Sequence, residues 1–227
     1  MHRRHFLGST IAASIALFGS GAKAAPAAAE PAAPLPKRRR VRVAFMLGDH
    51  ANVIDTCGPW EVFQDAESED GTFELCTVAP EEGPLEMTGG LKVLPTYSIR
   101  NAPQPNVIVV PAQKSTAESR AWLAQASAGT DVTMSVCTGA FQLARAGLLK
   151  GVAATTHHQF FDSFAKEFPD IELRRGLRYV DSGRIATAGG LTSGIDLALH
   201  IVSRYFGVEA AQATAQYMEY TSEAWRA

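Results

Sequence analysis

From residue 41 onward, compact apolar runs alternate with stretches whose apolar residues recur at helical spacing. Arg42 to Leu47 (RVAFML) is an apolar run after its first residue and is followed by Gly48-Asp49-His50, which predicts a buried strand and a turn. Gly58-Pro59 is predicted to open a helix reaching about Ala66, because proline suits a first helical turn. Phe73 to Ala79 is a second strand. Leu85 to Ile99, divided by Gly89-Gly90, is a small hairpin, and Val107 to Val110 (VIVV) is a third core strand. A helix over Ser115 to Ala126, a strand over Val132 to Val136 and a helix over Gly139 to Leu149 follow. Ala153 to Thr156 predicts a short strand, and a helix runs from about Gln159 to Phe168. Leu177 to Val180 and Arg184 to Ala188 predict a hairpin turning at Asp181-Ser182-Gly183. Two helices close the chain. The first starts at Ser193, with Asp196 completing a capping box and Ile195, Ala198, Leu199 and Val202 as its apolar stripe.

Strands alternating with helices imply an α/β fold, with a central mostly parallel sheet and helices on both faces. The 227 residues are 46% hydrophobic and 19% charged, enough to bury a core without disulfides or metals. No internal repeat is evident, so residues 41–227 read as one domain. The N-terminus changes the picture of location. Arg3 and Arg4, followed by His5, Phe6 and Leu7, precede an apolar stretch from Ile11 to Phe18 and then Ala22-Lys23-Ala24. A basic segment, a short apolar segment and an A-x-A cleavage site mark residues 1–24 as a signal peptide. The paired arginines resemble a twin-arginine signal and imply a periplasmic protein; an ordinary Sec signal is the alternative. The apolar stretch is shorter than the ~20 residues of a stable span, so no membrane anchor is expected after cleavage. Residues 25–40, rich in Ala and Pro at their start, read as a flexible linker. The net charge is −2 overall and about −5 without the leader. That balance argues against nucleic-acid partners.

Three cysteines are present, Cys57, Cys76 and Cys137, so an internal bridge leaves at least one free. A Cys57–Cys76 pair is one option, and the spacing fits no metal site. Cys137 lies in Ser135-Val136-Cys137-Thr138-Gly139, between an apolar strand and a helix. This is the context of a nucleophile elbow, where a tight strand–turn–helix lifts one side chain above the sheet. Gly139 lets helix and strand approach, and the helix N-terminus favours the thiolate. The other reading of Cys137 is a small buried hydrophobe. Asp55 follows the first strand in a loop at the carboxyl edge of the sheet, where parallel α/β sheets place their crevices; it is either a helix cap or a catalytic acid. His50 precedes it and is a candidate for the site mouth.

The stretch SVCTGAFQLARAGLLKG (135–151), Ala154-Thr155-Thr156-His157, TAGGLTSGIDLALHIV (187–202) and DTCGPWEVF (55–63) resemble the ThiJ/PfpI superfamily, with its glutamine amidotransferase-like fold. The resemblance is strongest to isonitrile hydratase-like proteins and to the ligand-binding halves of AraC-like regulators. It implies a flavodoxin-like sandwich, a homodimer and no cofactor. The catalytic positions it implies are Asp55, Cys137 and Thr138, with His157 approaching the nucleophile. It also places backbone donors after the third strand, where Ala112-Gln113 stand in place of the usual Gly-Gly. Ala112, Gln113, Gly139 and His50 are therefore the expected substrate contacts.

These features lead to an exported, cysteine-dependent hydro-lyase acting on a small molecule, adding water to an isonitrile to give a formamide. The alternatives are glyoxalase-like, amidase- or protease-like, or peroxide-sensing chemistry on the same cysteine, and a non-enzymatic binding module. If Asp55 and Cys137 are close, two like charges are costly, and the helix N-terminus predicts that Asp55 holds the proton.

Overall fold

The computed structural model describes residues 33–66 and 68–226. Residues 1–24, read as a signal peptide, and the first part of the stretch read as a linker lie outside the described residues. The strands are β1 (Arg40–Met46), β2 (Thr72–Ala79), β3 (Leu85–Glu86), β4 (Lys92–Val93), β5 (Tyr97–Ser98), β6 (Val107–Val110), β7 (Val132–Ser135), β8 (Ala153–Ala154), β9 (Glu172–Leu173), β10 (Tyr179–Asp181) and β11 (Ile185–Ala188). The helices are α1 (Val53–Asp65), α2 (Ala117–Ser127), α3 (Gly139–Arg145), α4 (Phe161–Glu167), α5 (Ser193–Phe206) and α6 (Val208–Tyr217). Seven strands form the central sheet in the order β10-β11-β7-β6-β1-β2-β5. Only the β10–β11 pair is antiparallel.

Side chains alternate across the sheet and divide the core in two. Val41, Val43, Phe45, Val107 and Val109 pack with residues of α1, α5 and α6. Met46, Ile108 and Val110 pack with Leu123 of α2, Leu143 of α3 and Phe164 of α4. A strand covered on both faces must be apolar at every position, which is why these strands read as continuous runs. Each fully buried Val, Leu or Phe contributes about 1.5–3 kcal/mol. The mostly parallel sheet with helices on both faces, expected from the alternation, is observed, as is the flavodoxin-like sandwich that the resemblance implied.

Several local expectations are corrected. Helix α1 opens at Val53, not at Gly58-Pro59, because Asn52 caps it by accepting from the N–H groups of Ile54 and Asp55. Pro59 therefore lies inside the helix, and Asp55 sits in the first turn instead of a loop. Proline there removes the donor that would have met the Asp55 carbonyl. The Gly58-Pro59 step serves a crossing: Gly58 faces Ile195, and the Pro59 ring faces Gly194, both in α5. The capping box at Ser193 does not form. Thr192 is the cap residue without a side-chain cap bond, and the Asp196 carboxylate goes to Arg178 and Ser222. The hairpin over residues 85–99 is shorter than expected: β3 pairs with β4, while β5 joins the main sheet beside β2.

All three cysteines are free: Cys57 is exposed on α1 and Cys76 is buried in β2, so the bridge is absent. Residues 33–39, read as flexible linker, lie against the domain. Leu35 is buried and its N–H donates to the Arg204 carbonyl at 2.8 Å. Arg38 makes a two-pronged ion pair with Asp131 at 2.6 and 2.9 Å. A bidentate pair of this kind fixes a segment that composition alone leaves loose.

Candidate active site

The sheet order explains how distant residues meet. β7, β6 and β1 are neighbours. Cys137 follows β7, Ala112 follows β6 and Asp55 follows β1, so all three emerge side by side at the carboxyl edge. Connections leave β1 towards β2 on one side and reach β6 on the other, which makes this edge a switch point.

Cys137 has φ +58°, a left-handed conformation costing a non-glycine residue about 1–2 kcal/mol. Its surroundings hold it there. The Cys137 N–H donates to the Gly189 carbonyl at 2.7 Å, and its carbonyl accepts from the buried Thr156 hydroxyl at 2.9 Å. The Gly139 N–H closes the turn onto the Val136 carbonyl at 2.9 Å. A Cβ on Gly139 would lie 2.1 Å from the Val110 carbonyl oxygen, so only glycine permits this approach of α3 to β6. Strain of this kind persists where surrounding contacts over-determine it, and it clusters at working sites. The elbow read from residues 135–139 is therefore present.

Cys137 is 7% exposed. The N–H and hydroxyl of Thr138 and the N–H of Leu191 face its sulfur and favour the ionised form. Asp55 is fully buried, and its Oδ2 accepts from the Ala112 N–H at 3.1 Å. Oδ1 has no well-formed partner; a looser contact with the Cys137 thiol helps hold the carboxyl down against burial. Burial pushes Asp55 up to about 6, opposed by the Ala112 and Cys137 bonds. Burial, then the Asp55 charge, push Cys137 up to about 11. Asp55 thus ionises first, and the pair at neutral pH is a thiol facing a carboxylate. This reverses the expectation that Asp55 holds the proton. The reason is that α3 has only seven residues, and its N-terminal field is smaller than the cost of burying a thiolate beside a carboxylate.

Thr138 is brought to the sulfur as expected. The other candidates make the following contacts. Ala112 spends its N–H on Asp55 and its carbonyl on Asn52, and neither it nor Gln113 needs a positive φ. The Gln113 amide braces the end of β1, accepting from Gly48 at 2.6 Å and donating to the Met46 carbonyl at 2.9 Å. Gly139 is buried and structural. His50 is exposed, and its N–H is tied to the Glu86 carbonyl. His157 caps the short 3-10 turn that follows it: its Nδ1 accepts from the Gln159 N–H at 3.2 Å. Its ring lies against Gly190, where a Cβ would fall 2.2 Å from Cδ2. His200, away from this edge, bonds Asp181 and Tyr179 in a buried network. Residues missed by sequence reasoning are Thr156 and Leu191. Thr156 was inside a quoted motif, and Leu191 acts through a backbone N–H that no side-chain pattern reveals.

Two cavities open at this edge. One of about 440 Å³ is lined by Gly48, Pro80, Lys114 and Ser119. One of about 330 Å³ is lined by Thr156 and Gly189, which bond the Cys137 backbone, and by Leu191, whose N–H faces its sulfur. Neither is lined by Cys137 itself; adjacency to the elbow makes the smaller cavity the functional candidate. Among the described residues no three His, Cys, Asp or Glu side chains converge as a metal site would require.

Fold and elbow together define an α/β sandwich of the kind that presents a single cysteine above a parallel sheet. The chain belongs to the DJ-1/PfpI family, whose model matches residues 41–204. It is 30% identical over 186 residues to isonitrile hydratase of Pseudomonas putida, covering 79% of this chain and 78% of that protein. It is 26% identical over 197 residues to the HTH-type transcriptional regulator GbdR of Pseudomonas aeruginosa, covering 84% of this chain and 53% of the regulator. The chain thus spans about half the length of that regulator. Among solved structures, a ThiJ/PfpI family protein from Pseudomonas syringae superposes with TM-score 0.73 at 26% identity, covering 83% of this chain and 78% of that one. DJ-1 of Schizosaccharomyces pombe shares the fold, with TM-score 0.66 at 14% identity, covering 78% of this chain and 98% of that one.

Proposed function

We propose that this protein is a cysteine-dependent hydro-lyase that adds water to an isonitrile. The observation that carries the reading is the buried pair of Cys137 thiol and Asp55 carboxylate, which holds one proton between two groups. Addition of a thiol to an isonitrile carbon needs one proton moved from sulfur to carbon. Asp55 takes the thiol proton as sulfur bonds the carbon, then delivers it to that carbon, giving a thioimidate. The Thr138 and Leu191 donors steady the sulfur while it carries charge. Water then adds to the thioimidate carbon, and Asp55 takes one of its protons and passes it to the nitrogen. The carbon–sulfur bond breaks as the remaining hydroxyl proton passes through Asp55 to sulfur, releasing the N-substituted formamide and restoring the thiol. The similarity to isonitrile hydratase supports this choice among the chemistries an elbow cysteine allows.

The test is incubation with cyclohexyl isocyanide and detection of the formamide. Turnover no greater than in Cys137→Ala defeats the proposal. Conversion of methylglyoxal to lactate instead favours the glyoxalase-like reading. The likeness to the regulators supports a second reading, a ligand-binding module, which an unreactive Cys137 and a co-purifying metabolite favour.

We further propose export by the twin-arginine route and a homodimeric state. The leader composition at residues 1–24 supports the first and the family resemblance the second. Replacing Arg3 and Arg4 with Lys should hold the precursor in the cytoplasm; normal export of that variant points to Sec. Sedimentation equilibrium reads the oligomeric state directly.

A further inference from the structure

The cavity of about 330 Å³ beside the elbow carries a set of polar groups that the chemistry at Cys137 does not use. Ser193 lines it, is 4% exposed, and its hydroxyl has no hydrogen-bond partner among the described residues. Thr192 lines it as well; its hydroxyl oxygen accepts from Arg178 at 3.3 Å, which leaves the hydroxyl hydrogen to be donated. His157 has its Nδ1 occupied as an acceptor, so the neutral ring carries its proton on Nε2, the atom lying beside Gly190 in the cavity wall. Burial and the neighbouring His158 push the His157 pKa down, in keeping with a neutral ring. Arg178 completes the wall. Its Nε and Nη2 go to the fully buried Asp196, so the guanidinium is held in place and its charge is largely balanced from behind.

The lining therefore offers donors from four side chains, while Asp196, the nearby carboxylate, is already committed to Arg178 and Ser222. One carbonyl oxygen has room for about two donors; a carboxylate accepts about four. We infer that this cavity is a carboxylate subsite, and that the molecule reacting at Cys137 is a small acid whose carboxylate is bound by Ser193, Thr192, His157 and Arg178. The inference rests on Cys137 as the reacting group. Thr156 and Gly189 hold the Cys137 backbone and the Leu191 N–H faces its sulfur, so the cavity adjoins the reacting residue.

The experiment reads alkylation of Cys137 by neutral iodoacetamide, followed on the Cys137 peptide by mass spectrometry, with Cys57 as the internal control. Acetate, propionate and butyrate are added as protectants against the matched amides, with sodium chloride equalising ionic strength. At one or more chain lengths the carboxylate should slow Cys137 alkylation at least fivefold in a saturable way, leaving Cys57 unchanged. The amides should not protect. Ser193→Ala breaks no existing hydrogen bond and should weaken protection about tenfold, as loss of a bond to a charged group does. Thr192→Val should act in the same direction. Equal protection by the amides, no protection at any length, or unchanged protection in both variants overturns the inference. The readout is independent of turnover, so a lack of isonitrile hydration leaves the carboxylate result standing, and the reverse also holds.

Discussion

Replacing Asp55 by Asn should move two measurements in opposite directions. The wild-type thiol is raised from its ordinary 9.0 to about 11, with burial as the larger cause and the Asp55 charge second. Asn keeps the shape and can still accept from the Ala112 N–H, so burial is retained and only the charge is removed. Removing that charge lowers the thiol pKa, and each unit corresponds to ~1.4 kcal/mol and a tenfold gain in thiolate at fixed pH. Iodoacetamide alkylation of Cys137 at pH 8 should therefore run severalfold faster in Asp55→Asn. Turnover should collapse, because Asn neither takes the thiol proton nor delivers one to carbon. Pairing the pH profile of alkylation with the steady-state rate separates the two effects. A variant thiol that titrates higher and alkylates more slowly refutes the argument. That outcome would mean a protonated Asp55 stabilises the thiolate in the wild type.

The same substitution tests the burial of Asp55 through stability. Its folded pKa of about 6 lies above the ordinary 3.8, so its contribution is fully present below about pH 3.8 and is lost as pH rises through 6. Asp55→Asn should be more stable than wild type by up to about 3 kcal/mol at pH 8, with the difference fading towards pH 4 in urea titrations. Thr156→Val removes the hydroxyl holding the Cys137 carbonyl; kcat should fall about tenfold with a stability loss of about 1–2 kcal/mol by thermal melting. Gly139→Ala forces a Cβ to 2.1 Å from the Val110 carbonyl oxygen, and chemical denaturation should show at least about 3 kcal/mol lost or a failure to fold.

The sequence by itself determined the layered α/β architecture, because strands buried on both faces must be continuously apolar and their covering helices must repeat at 3.6. It also determined the elbow: a cysteine between an apolar strand and Gly139 was legible because a close helix–strand approach admits only glycine. Thr138 was legible by adjacency. Local signals failed where two elements compete or meet. Gly58-Pro59 looked like a helix start, but the Asn52 cap and the contact of that step with α5 place it inside α1. Ser193 and Asp196 looked like a capping box, but a fully buried carboxylate needs a cation, and Arg178 supplies it from a strand edge 18 residues away. Which His157 nitrogen is free was not legible: the turn that follows it occupies Nδ1. The proton order within the Cys137–Asp55 pair belongs to tertiary structure alone. It depends on how deeply both groups are buried and on which backbone N–H groups face them, and those are set by the neighbouring order of β7, β6 and β1.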